Sequence, residues 1–157
     1  EICMSTLTKR QKKLQGLFNE ISRLCFNLFN FMPQNSTKMN DLKQLITYHA
    51  IGELPFNDIE SIDIAQIAQT GYRMAMYFPQ LSGIANLILN QYEYYDGSGV
   101  FSLIGDNIPL ECQMFTISRD YIFYKQEHGH TAALSYLENQ KHKYSSQLYS
   151  IMLRFLI

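Results

Sequence analysis

Leu14, Leu17, Ile21, Leu24, Leu28 and Phe31 recur at steps of three and four residues, the spacing that places side chains on one face of a helix. A second stripe, Phe18, Cys25, Phe29 and Met32, runs beside the first. Two adjacent stripes are too wide for the seam of a two-stranded coiled coil. A helix over about residues 8–32 is therefore expected. It is either buried in its own domain or serves as a dimerising or signal-transmitting element. The basic run Lys9-Arg10-Gln11-Lys12-Lys13 stands at its start. Cations there oppose the helix dipole, which leaves room for helix continuing from an upstream domain or linker.

Breaks divide the remaining chain into similar pieces. Pro33 to Thr37 ends the first helix and supplies a new N-cap. A second helix runs to about His49, with Leu42, Leu45, Ile46 and His49 on one face, so His49 turns toward the core. Gly52 and Pro55 stop it. Asn57, with Glu60 three residues on, opens a third helix that ends before Pro79. Ser82 caps a fourth carrying Ile84, Leu87 and Ile88, and Tyr94 to Gly99 ends it. Residues 100–107 form a loop. Asn107, with Pro109 just inside, opens a fifth helix to about Gln126. His128-Gly129-His130 is a turn. Two closing helices span Thr131 to about Lys141 and Ser145 to Ile157. Period-two alternation is confined to residues 92–94 and 100–103. The expected fold is all-α, one domain of about seven helices over residues 1–157.

Composition excludes several classes. Lys+Arg is 13 against Asp+Glu 14, and this balance argues against DNA or RNA as a partner. At 46% hydrophobic, the chain is too apolar for disorder. No apolar run approaches the ~20 residues that span a bilayer. Cys3, Cys25 and Cys112 form no C-x-x-C pair, so three free or buried thiols in a reducing cytoplasm are expected. Glu1-Ile2-Cys3-Met4 is neither a signal peptide nor a natural initiator, so the chain is expected to be a segment of a longer one. There is no Walker loop, nucleophile elbow or H-E-x-x-H. His128 and His130 offer two ligands without support, and His142 is flanked by lysines. His49 alone points into the core, either as a satisfied structural imidazole or as part of a site.

Gln91-Tyr-Glu-Tyr-Tyr-Asp-Gly-Ser-Gly-Val-Phe101, followed by Gly105-Asp-Asn-Ile-Pro-Leu-Glu111, resembles the HD-GYP family. Those domains carry His-His-Glu-x-x-Asp-Gly-x-Gly-Tyr-Pro and then Gly-x-x-Ile-Pro-Leu-x-Ala-Arg. Glu93, Asp96, Gly97 and Gly99 match the first motif, and Ile108, Pro109, Leu110 and Glu111 fall in series on the second. Tyr48 to Pro55 is similar to the family's Leu-His-Asp-Ile-Gly-Lys segment, Gly71 to the glycine of His-Pro-x-x-Gly, and Phe78-Pro-Gln-Leu81 to its Ile-Pro-x-Leu step. The match covers roughly residues 40–122.

The resemblance implies an all-α HD fold and a metal centre that hydrolyses cyclic di-GMP. The ligands that it would require are largely replaced. His49 is kept, but Ala50 stands for the Asp of the pair and Glu53 for the following Lys. Ile67 stands for the next His, Gln91 and Tyr92 for the adjacent His pair, and Arg119 for the late Asp. Gly-Tyr-Pro reads Gly99-Val100-Phe101, and Lys125 is the one basic residue in the shortened segment 124–134. The expectation is a degenerate, catalytically inactive regulatory or interaction module with no metal or other cofactor. Its degenerate pocket would comprise His49, Glu53, Tyr92, Glu93 and Arg119. A loop of Tyr94, Tyr95, Asp96, Gly97, Ser98, Gly99 and Phe101 would contact a protein partner or a covalently linked signalling domain. The alternatives are a nucleotide sensor, with Arg119 on a phosphate and Tyr92 on a base, a homodimer through the first helix, or an active phosphodiesterase with a rearranged metal site. A salt bridge from Arg119 to Glu53, Glu93 or Asp120 is the plainer expectation for that residue.

Overall fold

The amphipathic stripes fold into seven α-helices, and no strand forms among the described residues. The computed structural model describes residues 9–32 and 36–157. The side chains of residues 9–14 and 36–37 lie outside that description, as do Cys3 and the break at Pro33. The side chains of the expected basic start of the first helix, the chain's beginning and the break expected to supply a new N-cap thus fall outside the described residues. The helices are α1 (Lys9–Asn30), α2 (Ser36–Tyr48), α3 (Ile64–Tyr77), α4 (Ala85–Asn90), α5 (Leu110–His128), α6 (His130–Asn139) and α7 (Ser146–Leu156).

Helix α5 is the centre. Cys112, Met114, Phe115, Thr116, Ile117, Ser118, Tyr121 and Ile122 are all buried along it, and α1, α2, α4, α6 and α7 pack around it. The wide stripe of α1 buries Ile21, Leu24, Cys25, Leu28 and Phe29. That face meets α5 and α7, so α1 is a core helix of its own domain. Among the described residues the seam emerges at its end, where Phe31 packs edge-on against Phe155 at 4.9 Å. Cys25 and Cys112 are buried free thiols, and burial pushes Cys25 up to about 12. No helix of the described residues is long and apolar enough to cross a membrane.

Several expected boundaries move. Helix α3 starts at Ile64 rather than Asn57, because Asp63 caps it by accepting the Ala65 N–H at 3.2 Å. Residues 57–63 hold only a 3₁₀ turn at Ile59–Ser61, since no apolar run follows Asn57 to bury a helix face there. Ser82 does not cap α4: its hydroxyl donates to the Pro79 carbonyl at 3.0 Å, and a 3₁₀ turn precedes the short helix. Asn107 lies in another 3₁₀ turn, Gly105–Asn107, and Pro109 occupies the N-cap position of α5. The expected turn at His128–His130 contracts to Gly129, whose φ of +86° breaks the chain in one residue. Ser145, expected as the first residue of the last helix, is instead the N-cap of α7, accepting the Leu148 N–H at 3.2 Å.

The 3₁₀ turn Ile51–Glu53 lies directly on α3, and glycine permits the contact. A Cβ on Gly52 would stand 2.2 Å from the Ile67 carbonyl oxygen and 2.8 Å from the Gly71 nitrogen. Both are backbone atoms, so neither can move aside cheaply. Gly52→Ala should therefore cost about 3 kcal/mol or more and lower Tm by roughly 10 °C. Gly16 in α1 has nothing within 4 Å of its would-be Cβ. Gly16→Ala should raise stability by about 0.5–1 kcal/mol. Urea titrations of both variants check the contrast, and equal effects would refute it.

Candidate functional site

The turn after α2, the residues after α4 and one face of α5 enclose a cavity of about 540 Å³. His49, Glu53, Tyr92, Tyr94, Arg119 and Phe123 are among its walls. Four of the five residues expected in the pocket thus meet there: His49, Glu53, Tyr92 and Arg119. Phe123 was not anticipated, although it lies one helical turn beyond Arg119, where a helix places a neighbour.

His49 sits just past α2. Its ring packs against Phe18 at 4.6 Å and Phe115 at 5.2 Å. Nδ1 lies 3.0 Å from the Ile46 carbonyl, which can only accept, so Nδ1 carries the proton and Nε2 keeps a lone pair. Burial, with the Arg119 charge as a smaller contribution, lowers its pKa to about 4 against the pull of the Ile46 carbonyl. Gln91 ties this turn to α4, since its Nε2 donates to the carbonyls of His49 at 2.8 Å and Ile88 at 3.0 Å. Glu53 is half-buried, and burial raises its carboxyl.

Arg119 is held from every side. Nη1 donates to the Gln91 carbonyl at 3.1 Å, an oxygen that also accepts the Thr116 hydroxyl at 3.0 Å. The guanidinium carbon stands 5.1 Å from the Tyr92 ring centre and 5.5 Å from that of Phe115. Nε is 3.6 Å from an Asp120 oxygen, and only 12% of the side chain is exposed. Of the three expected ion-pair partners, Asp120 is the one engaged. Its other oxygen accepts the Tyr144 hydroxyl at 2.8 Å. Burial raises the Tyr144 phenol well above the usual range, and Asp120 adds to the rise.

Glu93 departs from expectation, because it does not line the cavity. It is 1% exposed, and its two oxygens accept the N–H groups of Phe101 at 2.6 Å and Leu103 at 2.8 Å. The carboxylate folds residues 93–103 into a loop. Gly99 lets that loop close on itself, since a Cβ there would stand 2.5 Å from the Glu93 Cα. Asp96 accepts the Ser98 N–H at 2.9 Å and its hydroxyl at 2.6 Å, an Asx turn completed by Gly97 at φ +83°.

The aromatic residues expected as exposed anchors of this loop are half-buried instead. Tyr94 meets the Tyr144 ring at 6.2 Å and the Lys143 ammonium at 4.9 Å. The Tyr95 hydroxyl donates to Asp106 at 3.3 Å, and its amide donates to the Lys143 carbonyl at 2.9 Å. Phe101 is tied through its backbone to Glu93. The exposed apolar side chain is Ile104, at 62%. The remaining histidines lie elsewhere: His130 Nδ1 is 2.7 Å from the Tyr121 hydroxyl, and His142 is 3.7 Å from Asp96. Among the described residues no three or more His, Cys, Asp or Glu side chains group as metal ligands.

The family model of the HD domain matches residues 45–148, from α2 into α7. No curated protein matches the chain.

Two predictions follow from this geometry. Folding holds His49 neutral with a pKa near 4, against about 6.5 in the unfolded chain. Between those values the unfolded state binds more protons. The contribution of His49 is complete above about pH 6.5, and on the order of 3 kcal/mol is lost as pH falls through 4. His49→Asn should flatten that part of the stability profile, as measured by urea unfolding at stepped pH. Separately, Glu93→Gln replaces an acceptor by an amino group facing an N–H. It should cost about 2 kcal/mol and speed hydrogen exchange at Phe101 and Leu103 specifically. Unchanged exchange there would remove Glu93 as the loop's anchor.

Proposed function

The chain belongs to the HD-domain family, and from that premise we propose that it is a catalytically inactive, HD-GYP-like module. It acts by regulation and protein contact in cyclic di-GMP-type signalling, in a cytoplasmic setting. The observation that carries this reading is the Arg119 guanidinium, in reach of the Tyr92 and Phe115 rings and bonded to the Gln91 carbonyl.

A divalent ion needs several neutral imidazoles or carboxylates converging on one point. His49 supplies one lone pair. Gln91 directs its amide nitrogen to two carbonyls and Tyr92 offers a ring to Arg119. The Asp120 oxygens face Arg119 and Tyr144. These donors do not suit a divalent metal, and a fixed positive charge beside them opposes one. HD domains serve as metal-dependent hydrolases and in signalling, and a fold can carry the second role without the first.

A nucleotide sensor has less support. A phosphate would have to compete with Asp120 and the Gln91 carbonyl for the same guanidinium.

Purified domain incubated with Mn²⁺ and then desalted should retain well under one metal per chain and leave cyclic di-GMP intact. About one or more tightly held metals per chain, with turnover that a chelator abolishes, would overturn the proposal.

A further inference from the structure

We infer that the cavity beside His49 is a recognition site for a guanidinium group, presented as an arginine side chain by a protein partner. This rests on the reading of the cavity as metal-free and deepens it by naming what enters.

Charge is the first argument. Two carboxylates, Glu53 and Asp120, face one guanidinium, that of Arg119, on the cavity lining. Arg119 and Asp120 offset one another at 3.6 Å. The Glu53 side chain makes no hydrogen bond or ion pair among the described residues. His49 adds no positive charge, since its Nδ1–H is bonded to Ile46 and its Nε2 is a lone pair. The cavity is therefore left with an uncompensated carboxylate. An anionic ligand would meet repulsion, whereas a cation would supply the missing counter-charge.

Donor count is the second argument. Arg119 directs Nη1 to the Gln91 carbonyl and Nε toward Asp120, and the acceptors left on the lining include the Glu53 oxygens and the Nε2 of His49. A guanidinium carries five N–H donors and no acceptor, in a planar fork that matches a carboxylate. The apolar wall is the third argument. Phe123 is exposed on α5 and Ile64 is exposed at the start of α3, and both line the cavity. They offer surface for the methylene stem and a π-face for the charge. The chain already uses this chemistry twice nearby, in Arg119 over Tyr92 and Lys143 over Tyr94.

The test is a titration followed by NMR, with Nα-acetyl-arginine methylamide as probe and its uncharged citrulline isostere as control. The arginine probe should shift resonances of Phe123, Tyr92 and Ile64 with a Kd on the order of 1 mM. Citrulline should bind at least about tenfold more weakly, and Glu53→Gln should weaken the arginine probe by about tenfold. Unshifted spectra of Glu53→Gln away from the cavity show that the variant is folded. Equal binding of the two probes, shifts confined to other surfaces, or indifference to Glu53→Gln would each overturn the inference. Mn²⁺ titration of the same sample separates the two ideas. Paramagnetic broadening centred on His49 sinks the metal-free reading, whereas an absent arginine response without such broadening sinks only this one.

Discussion

Burial of α5 on nearly all sides is the constraint from which the site follows. Over residues 111–122 a helix packed by five others has little solvent face on which to leave polar side chains. Its polar residues must be satisfied by neighbouring protein groups, because an unpaired buried polar group costs more than a hydrogen bond gains. Thr116 and Arg119 find the Gln91 carbonyl, Asp120 finds Tyr144, and the Met114 carbonyl accepts the Cys25 thiol at 3.7 Å, while the Ser118 hydroxyl is buried with no hydrogen-bond partner among the described residues. Each partner comes from a different element. The central helix thereby fixes the residues after α4, the turn before α7 and the stripe of α1 against one another. The cavity floor is a by-product of that satisfaction, and its chemistry was set by what α5 needed.

The loop of residues 93–103 shows the same logic on a smaller scale. Glu93, Asp96, Gly97 and Gly99 are the residues that carry the HD-GYP resemblance of the first motif, and each has a backbone task here. Glu93 satisfies two amides, Asp96 forms the Asx turn, Gly97 takes positive φ and Gly99 permits close approach. None of these tasks requires a metal. These four residues are therefore accounted for by the folding of the loop itself. Glu93 could not easily be exchanged, since its burial leaves two N–H groups with no other acceptor.

The fold was legible because helices announce themselves locally. Apolar spacing located all seven, and Ser145 and Gly129 acted as their chemistry dictates. The errors came where a local signal had a competitor. Asn57 and Glu60 made a plausible cap with no apolar run to bury, and Asp63 had the run. Ser82 bonded backward to Pro79 in place of capping. The site was harder because its contacts are long-range. The four-residue step from Arg119 to Phe123 along α5 carried the signal that they share a face, although Phe123 was not anticipated. No local pattern tells that Arg119 would reach Gln91, 28 residues away, or that Tyr144 would cover Asp120. Tyr94, Tyr95 and Phe101 misled for the opposite reason. An aromatic-rich loop suggests an exposed surface, yet here all three residues are half-buried, with the Tyr94 ring against Tyr144 and Lys143.

Arg119 can stay where it does only because several weak arrangements coincide. An Arg–carboxylate pair this far from water seldom repays its own desolvation. Here the guanidinium also has a carbonyl at 3.1 Å and two aromatic faces, and the carboxylate has a phenol at 2.8 Å. The neighbours in turn respond to the charge. His49, packed on the same Phe115 ring, stays neutral because a second cation in that space would be both buried and repelled. A neutral His49 and a paired Arg119 leave Glu53 as the cavity's unbalanced charge. The electrostatic sense of the pocket thus turns on the central helix, where Arg119 is fixed in the wall beside Asp120 and the lining carboxylate left over is that of Glu53.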